Sequence, residues 1–400
     1  MTGDGSNNAL EWARARTGEM ATLLEGLVGI ESPSSDAAGV AALARRLAVE
    51  LEPLGLQVEL RPVPGAGPVL HARLPPGPAP APPPVLLLGH LDTVWPLGTL
   101  TARPARVEGD RLFGPGAYDM KGGLVVVVFA LRALRARGPL PPVTVFLTPL
   151  EEVDGGPYRA EMEAAMKGAA AVLGFEPAWP GGAVKTERKG SGSFVLTARG
   201  RAAHAGADLA RGANAILELA HQSLRLAALT DPARGLTVNV GLIRGGIRPN
   251  VVPDHAEAEF DVRFRTLADG RRAEAAFQAL APVVPGVSLE VAGGAHYPPL
   301  ERGPHVVAVY EQARRVAAEM GMELEEAASG GASEASFAAA LGVPTLDGLG
   351  ADGDGAHAVD EHVVIPSLPE RAALAAGLII RLSKGAPAAR PLGPPLAPRK

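Results

Sequence analysis

Residues 85–95 read Val-Leu-Leu-Leu-Gly-His-Leu-Asp-Thr-Val-Trp, an apolar run of strand type that ends in a glycine and at once delivers His90 and Asp92. Two positions apart on an extended backbone, these side chains lie on one side. A histidine that holds a metal through one ring nitrogen needs an acceptor on the other, and Asp92 can be that acceptor.

The same arrangement recurs. A strand at 143–148 runs into Leu150-Glu151-Glu152, and a strand at 170–174 runs into Phe175-Glu176-Pro177. In open α/β sheets the carboxyl ends of the strands are where sites are built. The chain has 400 residues, more than one core commonly holds, so two domains are expected. A net charge of -5 leaves no electrostatic footprint for nucleic acid or an anionic membrane. Without cysteine there is no thiolate nucleophile, no disulfide and no Cys-ligated zinc, so any metal must be held by His, Asp and Glu. The first residues show no basic and apolar signal pattern, and the apolar runs are too short to span a bilayer, so a cytoplasmic protein is expected.

In chain order, the spacing predicts helices over 9–28 and 37–54 and strands over 57–61 and 69–72, then a Pro-rich surface loop at 75–84. Phe113-Gly-Pro-Gly-Ala-Tyr-Asp119-Met-Lys-Gly-Gly precedes a helix over 124–137. These glycines fit neither the Walker pattern nor the dinucleotide fingerprint, so they point to close backbone approach around Asp119. Residues 189–291 change rhythm: strand 194–199, helix 214–229, strands 236–243 and 256–264, helix 270–280 and strand 288–291. That is a β-α-β-β-α-β, ferredoxin-like unit inserted into a larger α/β domain. Helices over 306–320 and 333–341, a short strand at 345–346, a Gly-rich loop ending at His357 and a helix over 370–382 complete the larger domain. The segment 385–400, rich in Pro, Ala and Arg, is expected to be disordered.

His90, Asp119, Glu152, Glu176 and His357 thus fall at strand ends or tight loops on one edge of the sheet. Imidazole and carboxylate without thiolate suit a hydrolytic zinc, cobalt or manganese centre, and five such groups suit two ions that share one ligand. Asp119, between glycines, is the natural bridge. Adjacent Glu151 and Glu152 point in different directions on an extended segment. One can ligate while the other, Glu151, acts as general base toward a water held between the ions. His362, five residues after His357, is a rival for the last ligand.

The ordered set Leu88-Gly-His90-Leu-Asp92, Tyr118-Asp119-Met-Lys-Gly-Gly, Glu151-Glu152, Gly174-Phe-Glu176-Pro and Gly355-Ala-His357 resembles the successive signatures of the M20 metallopeptidases, closest to the glutamate carboxypeptidase branch. The likeness runs over residues 20–382. It implies a di-zinc, aminopeptidase-like α/β catalytic domain (1–187 and 295–400) and an inserted ferredoxin-like lid and dimerisation domain (188–294). It implies that His90, Asp119 and Glu176 hold one zinc, that Asp119, Glu152 and His357 hold the other, that Asp92 orients His90, and that Glu151 is the base. Three further matches lie in the inserted domain. His204, in Arg201-Ala-Ala-His204-Ala-Gly, corresponds to a histidine that reaches into the partner subunit's site. Asn250 resembles a substrate and oxyanion contact, and Arg263 resembles an arginine that grips the substrate carboxylate. Two positions depart from the pattern and bear on substrate preference. Asp154 adds a carboxylate after the Glu pair, and Ser333-Glu334 stands where this branch carries an Asp.

The function implied is metal-dependent hydrolysis of the amide bond to a C-terminal amino acid, in an acyl-glutamate or small peptide, by a homodimer. N-acyl-amino-acid deacylation, of the acetylornithine or succinyl-diaminopimelate kind, is the alternative within the same fold. A serine hydrolase lacks its Gly-x-Ser-x-Gly elbow, the nearest stretch being Gly331-Ala-Ser333-Glu-Ala335. A catalytically dead binding protein would have no reason to keep every ligand and the base.

Overall fold

Strands buried on both faces read as unbroken apolar runs, and two such runs form the centre of the first of two compact units. A computed structural model describes residues 4–75, 77, 82–153 and 155–385. Asp154, most of the 75–84 loop's tip and the tail from 386 onward lie outside the described residues. One unit comprises Met1–Glu187, Arg302–Ala328 and Ser333–Lys400, the other Arg188–Glu301 and Ser329–Ala332.

In the first unit every residue of Val85–His90 and Val143–Thr148 is buried. The six-stranded sheet runs in the order Gln57–Arg61, Val69–Arg73, Val143–Thr148, Val85–His90, Ala171–Gly174 and Thr345–Leu346. The first two pairings are antiparallel and the remaining three parallel. Register puts His90 opposite Thr148 and Leu88 opposite Gly174. The chain therefore leaves three neighbouring parallel strands at one level, and the residues that follow them share one edge. Gly122–Arg135, apolar nearly all round, and Ser367–Leu382 pack into the same core.

A second, smaller sheet joins Arg106–Glu108, Arg111–Phe113, His362–Val364 and Gly353–Asp354. The pairing of His362–Val364 with Arg111–Phe113 ties the loop that bears His357 to the chain entering the Asp119 turn. Its strands of two or three residues are too short to leave a periodic pattern in the sequence. The helix expected over 9–28 is two helices, Asp4–Arg14 and Thr17–Val28. Arg16 leaves helical geometry there (φ -119°, ψ 16°), and the Thr17 hydroxyl donates to the Arg14 carbonyl at 2.9 Å. Leu10, Ala13, Met20 and Leu24 nevertheless reach one core, which is why they read as a single stripe.

The second unit is β-α-β-β-α-β: Gly190–Arg199, helix Ala215–Ala227, Thr237–Gly245, His255–Phe264, helix Leu267–Gln278 and Ser288–Tyr297. Its antiparallel sheet has the order Thr237–Gly245, His255–Phe264, Gly190–Arg199, Ser288–Tyr297. Alternation in His255–Phe264 buries Ala256, Ala258, Phe260, Val262 and Phe264 on one face. Both helices are capped, Ala215–Ala227 by Asn214 and Leu267–Gln278 by Thr266, which accepts from the Asp269 amide while its hydroxyl donates to the Asp269 carboxylate. The last strand outruns the four residues expected because Gly293 and Gly294 continue it. At Gly293 (φ 93°) a Cβ would stand 2.2 Å from the Ser193 carbonyl oxygen, so only glycine lets the backbones meet. No helix among the described residues is long and apolar enough to cross a membrane.

Phe277 anchors this core, fully buried, stacked on Phe194 at 4.0 Å between ring centroids and edge-on to Phe260 at 5.2 Å. Phe277→Ala is expected to cost the second unit about 3–5 kcal/mol in urea denaturation; a loss under about 1 kcal/mol would contradict this packing.

Candidate metal centre

Asp119 lies in the turn 117–121, between Gly116 in the left-handed region (φ 72°) and Gly122 at the start of the Phe129 helix, and the Asp119–Met120 peptide is cis. Its two carboxylate oxygens face different histidines. His90 Nε2 is 3.2 Å from Asp119 Oδ1, and His357 Nε2 is 3.5 Å from Oδ2. On the first side Glu176 Oε1 is 3.6 Å from His90 Nε2, and on the second Glu152 Oε2 is 3.2 Å from His357 Nε2. Among the described residues, two groups bring ligand atoms within 4.8 Å of one another: His90, Asp119 and Glu176, and Asp119, Glu152 and His357. Asp119 belongs to both.

Each candidate ligand is delivered by a local feature. His90 ends its strand and is buried. Glu176 follows strand Ala171–Gly174, and the two Gly-rich segments close on it. A Cβ on Gly123 would stand 2.0 Å from the Phe175 carbonyl oxygen, and one on Gly350 2.4 Å from the same atom. The glycines thus serve close backbone packing. His357 adopts a left-handed backbone (φ 62°), uncommon outside glycine, and its side chain is half exposed. His362 stands in neither group; its ring packs on Phe113 and its Nδ1–H donates to the Asp360 carbonyl.

Asp92 does more than face an imidazole. His90 Nδ1 lies 3.0 Å from the Asp92 main-chain carbonyl and 3.5 Å from its carboxylate. That carboxylate accepts the amides of Glu151 and Glu152, both at 3.1 Å, and the Ser34 hydroxyl at 2.7 Å. It therefore holds the imidazole through its backbone and the Glu151–Glu152 turn through its side chain. Glu361, which no sequence pattern had singled out, does the same for Asp119. Its carboxylate accepts the amides of Gly116, Tyr118 and Asp119 and the Trp95 indole N–H, at 2.7–3.0 Å. The only local signal was a carboxylate four residues past His357.

Electrostatics sharpen the picture. Burial pushes the Glu151 carboxyl well up, and neighbouring Glu176 adds to it; burial and Asp119 raise Glu152. Burial also favours a neutral Asp119, yet hydrogen bonds from His357 and His90 override it and hold that carboxyl low. In turn Asp119 and Glu152 push His357 up to about 10. His90, though desolvated, is raised by Asp119 and Asp92. Such a concentration of carboxylates is what divalent cations offset. Glu152 Oε1 is buried without a hydrogen-bond partner, which a cation would satisfy. The donor set, oxygen and imidazole, fits two such ions.

His204, Asn250 and Arg263 lie in the second unit. His204 is exposed, and its Nδ1 accepts the amides of Gly206 and Ala207 at 3.2 and 3.1 Å, which leaves Nε2 to carry the hydrogen. Asn250 is exposed, and its carbonyl accepts the Ala205 amide. Arg263 is held by Asp261, two residues earlier on the same strand face, at 3.0 Å from Nε.

The sequence profile of peptidase family M20/M25/M40 matches residues 86–381. Carboxypeptidase G2 of Pseudomonas sp. (strain RS-16) is 31% identical over 371 residues, 90% of this chain and 89% of that protein. Succinyl-diaminopimelate desuccinylase of Dechloromonas aromatica is 30% identical over 310 residues, 72% of this chain and 80% of that protein. In fold the chain is similar to a dinuclear metal-binding peptidase of Bacillus subtilis, with a TM-score of 0.63 at 17% identity over 93% of this chain and 99% of that one. With its ordered ligand residues and a profile match across most of its length, the chain belongs to peptidase family M20/M25/M40 and is a hydrolase of that family.

Proposed function

We propose that this chain is a two-metal carboxypeptidase that hydrolyses the amide bond to a C-terminal amino acid, in an acyl-glutamate or a small peptide. The observation that carries this reading is the Asp119 carboxylate, whose two oxygens each belong to a separate ligand triad, with Glu151 beside one of them in sequence. The 31% identity to carboxypeptidase G2 over 90% of the chain supports it. When bound, two divalent cations (zinc, with cobalt or manganese compatible with the same donors) supply Lewis-acid polarisation of the carbonyl and of the attacking water.

The chain's own residues do the rest. Glu151, half-buried and with its carboxyl raised by desolvation and by neighbouring Glu176, takes the proton of the attacking water and returns it to the leaving amine. His204, through Nε2–H, and the Asn250 amide stabilise the oxyanion of the tetrahedral intermediate. The Arg263 guanidinium binds the substrate's α-carboxylate in place of Asp261.

We place the dimer contact on the second unit. Its edge strand Thr237–Gly245 exposes Leu242 and Ile243, and Ile216, Leu217, Leu224 and Ile247 are exposed nearby in the chain. An apolar edge strand is a template for pairing. The partner then supplies His204.

Three outcomes are expected. Zinc-loaded protein cleaves acyl-glutamates or C-terminal dipeptides in a mass-spectrometric panel and stops in EDTA; cleavage confined to N-acetyl or N-succinyl amino acids would move the chain to the deacylases. Glu151→Gln lowers kcat by about 10²–10⁴-fold with two ions retained, whereas Asp119→Asn loses metal by elemental analysis. Substantial turnover by Glu151→Gln would remove Glu151 as the base. His204→Ala and Glu151→Gln, each inactive alone, recover activity when mixed as subunits, because one site of the heterodimer then has both groups. No recovery would refute donation in trans.

A further inference from the structure

Glu334 is a fully buried carboxylate that neither ligand triad uses. Thr148 Oγ1 donates to its Oε2 at 2.7 Å, and Tyr158 Oη donates to its Oε1 at 2.8 Å. Thr148 ends the strand that precedes Glu151 and Glu152, and Tyr158 stands immediately before the helix Arg159–Lys167 that follows them. The two hydroxyls are themselves buried. One carboxylate, more than 170 residues further along the chain, therefore grips both ends of the turn that carries a ligand and the base.

We propose that Glu334 is a positioning residue, a clamp that sets the placement of Glu151 and Glu152 by tying the two ends of their turn together through Thr148 and Tyr158. Asp92 holds the middle of that turn by the amides of Glu151 and Glu152. Glu334 closes it from outside. A glutamate spans the two hydroxyls, one through each oxygen; an aspartate, one methylene shorter, keeps the charge but withdraws the carboxylate from the turn.

The role of Glu151 rests on the carboxypeptidase reading, whereas the role of Glu152 is read through metal alone, so the two can fail separately. The test is a chelator titration of zinc-loaded, full-length protein with a chromogenic zinc indicator, run for wild type, Glu334→Gln, Glu334→Asp, Tyr158→Phe and Thr148→Val, alongside kcat and KM. Loosening the turn should weaken one of the two ions by about 10- to 100-fold, leave the other as in wild type, and lower kcat with KM unchanged. Tyr158→Phe should add little in a Glu334→Gln background, because both act through one clamp. Wild-type zinc titration and kcat in the variants, or equal weakening of both ions with a lowered Tm, would overturn the proposal. Should Glu334→Gln not fold, Tyr158→Phe and Thr148→Val decide the question. Should wild-type protein bind two zinc ions and cleave nothing, the carboxypeptidase reading falls, and the zinc titration still decides the clamp.

Discussion

The structure of the site turns on repulsion among carboxylates. Asp92, Asp119, Glu151, Glu152 and Glu176 converge on the carboxyl edge of one sheet with two imidazoles; Asp92, Glu176 and His90 are buried, and Asp119, Glu151 and Glu152 are partly so. Desolvation and like charges this close together raise a carboxyl's proton affinity, as the upward shifts of Glu151 and Glu152 show. A fold that gathers such groups needs cations to offset them and rigid supports to stop them from turning away. His357, pushed up to about 10 by Asp119 and Glu152, is the measure of how negative the place is.

The supports are themselves acidic. Asp92 accepts amides from the Glu151–Glu152 turn, Glu361 accepts amides from the Asp119 turn, and Glu334 accepts hydroxyls at both ends of the former. Each of these acidic side chains is thus met by backbone N–H or O–H dipoles beside a candidate ligand, the kind of outer layer on which metal sites depend. Desolvation makes this costly: burial pushes both Glu334 and Glu361 up to about 7 despite their hydrogen bonds.

How much of this was legible depended on sequence distance. Strand ends read directly, because an apolar run that stops at Gly89-His90 or at Gly174-Phe175-Glu176 shows both the strand and what it delivers. The β-α-β-β-α-β order of the second unit read as well, since each element is long enough to show its period. The helix break at Arg16 was hidden because both helices face one core. Glu361 was missed, and Glu334 was noticed only as a departure from a family pattern, because their partners lie 243 and 176 residues away. Nothing local distinguishes a buried carboxylate that holds a turn from a solvated one, and only the fold brings the donors to it.

The glycines around Asp119 fit neither phosphate-loop pattern, which left close backbone approach as their reading, though not what they approach. Packing supplies the partner. Gly123 begins the apolar helix and Gly350 lies in the loop before His357, yet the two press on one atom, the Phe175 carbonyl oxygen, at distances no Cβ tolerates. Gly350 also donates its amide to the Glu176 carbonyl at 2.9 Å. The loops that carry Asp119, Glu176 and His357 are therefore not independent mobile segments laid over a scaffold. They are wedged against one another at backbone contact, so ligands on three loops are held with the precision expected of residues on neighbouring strands.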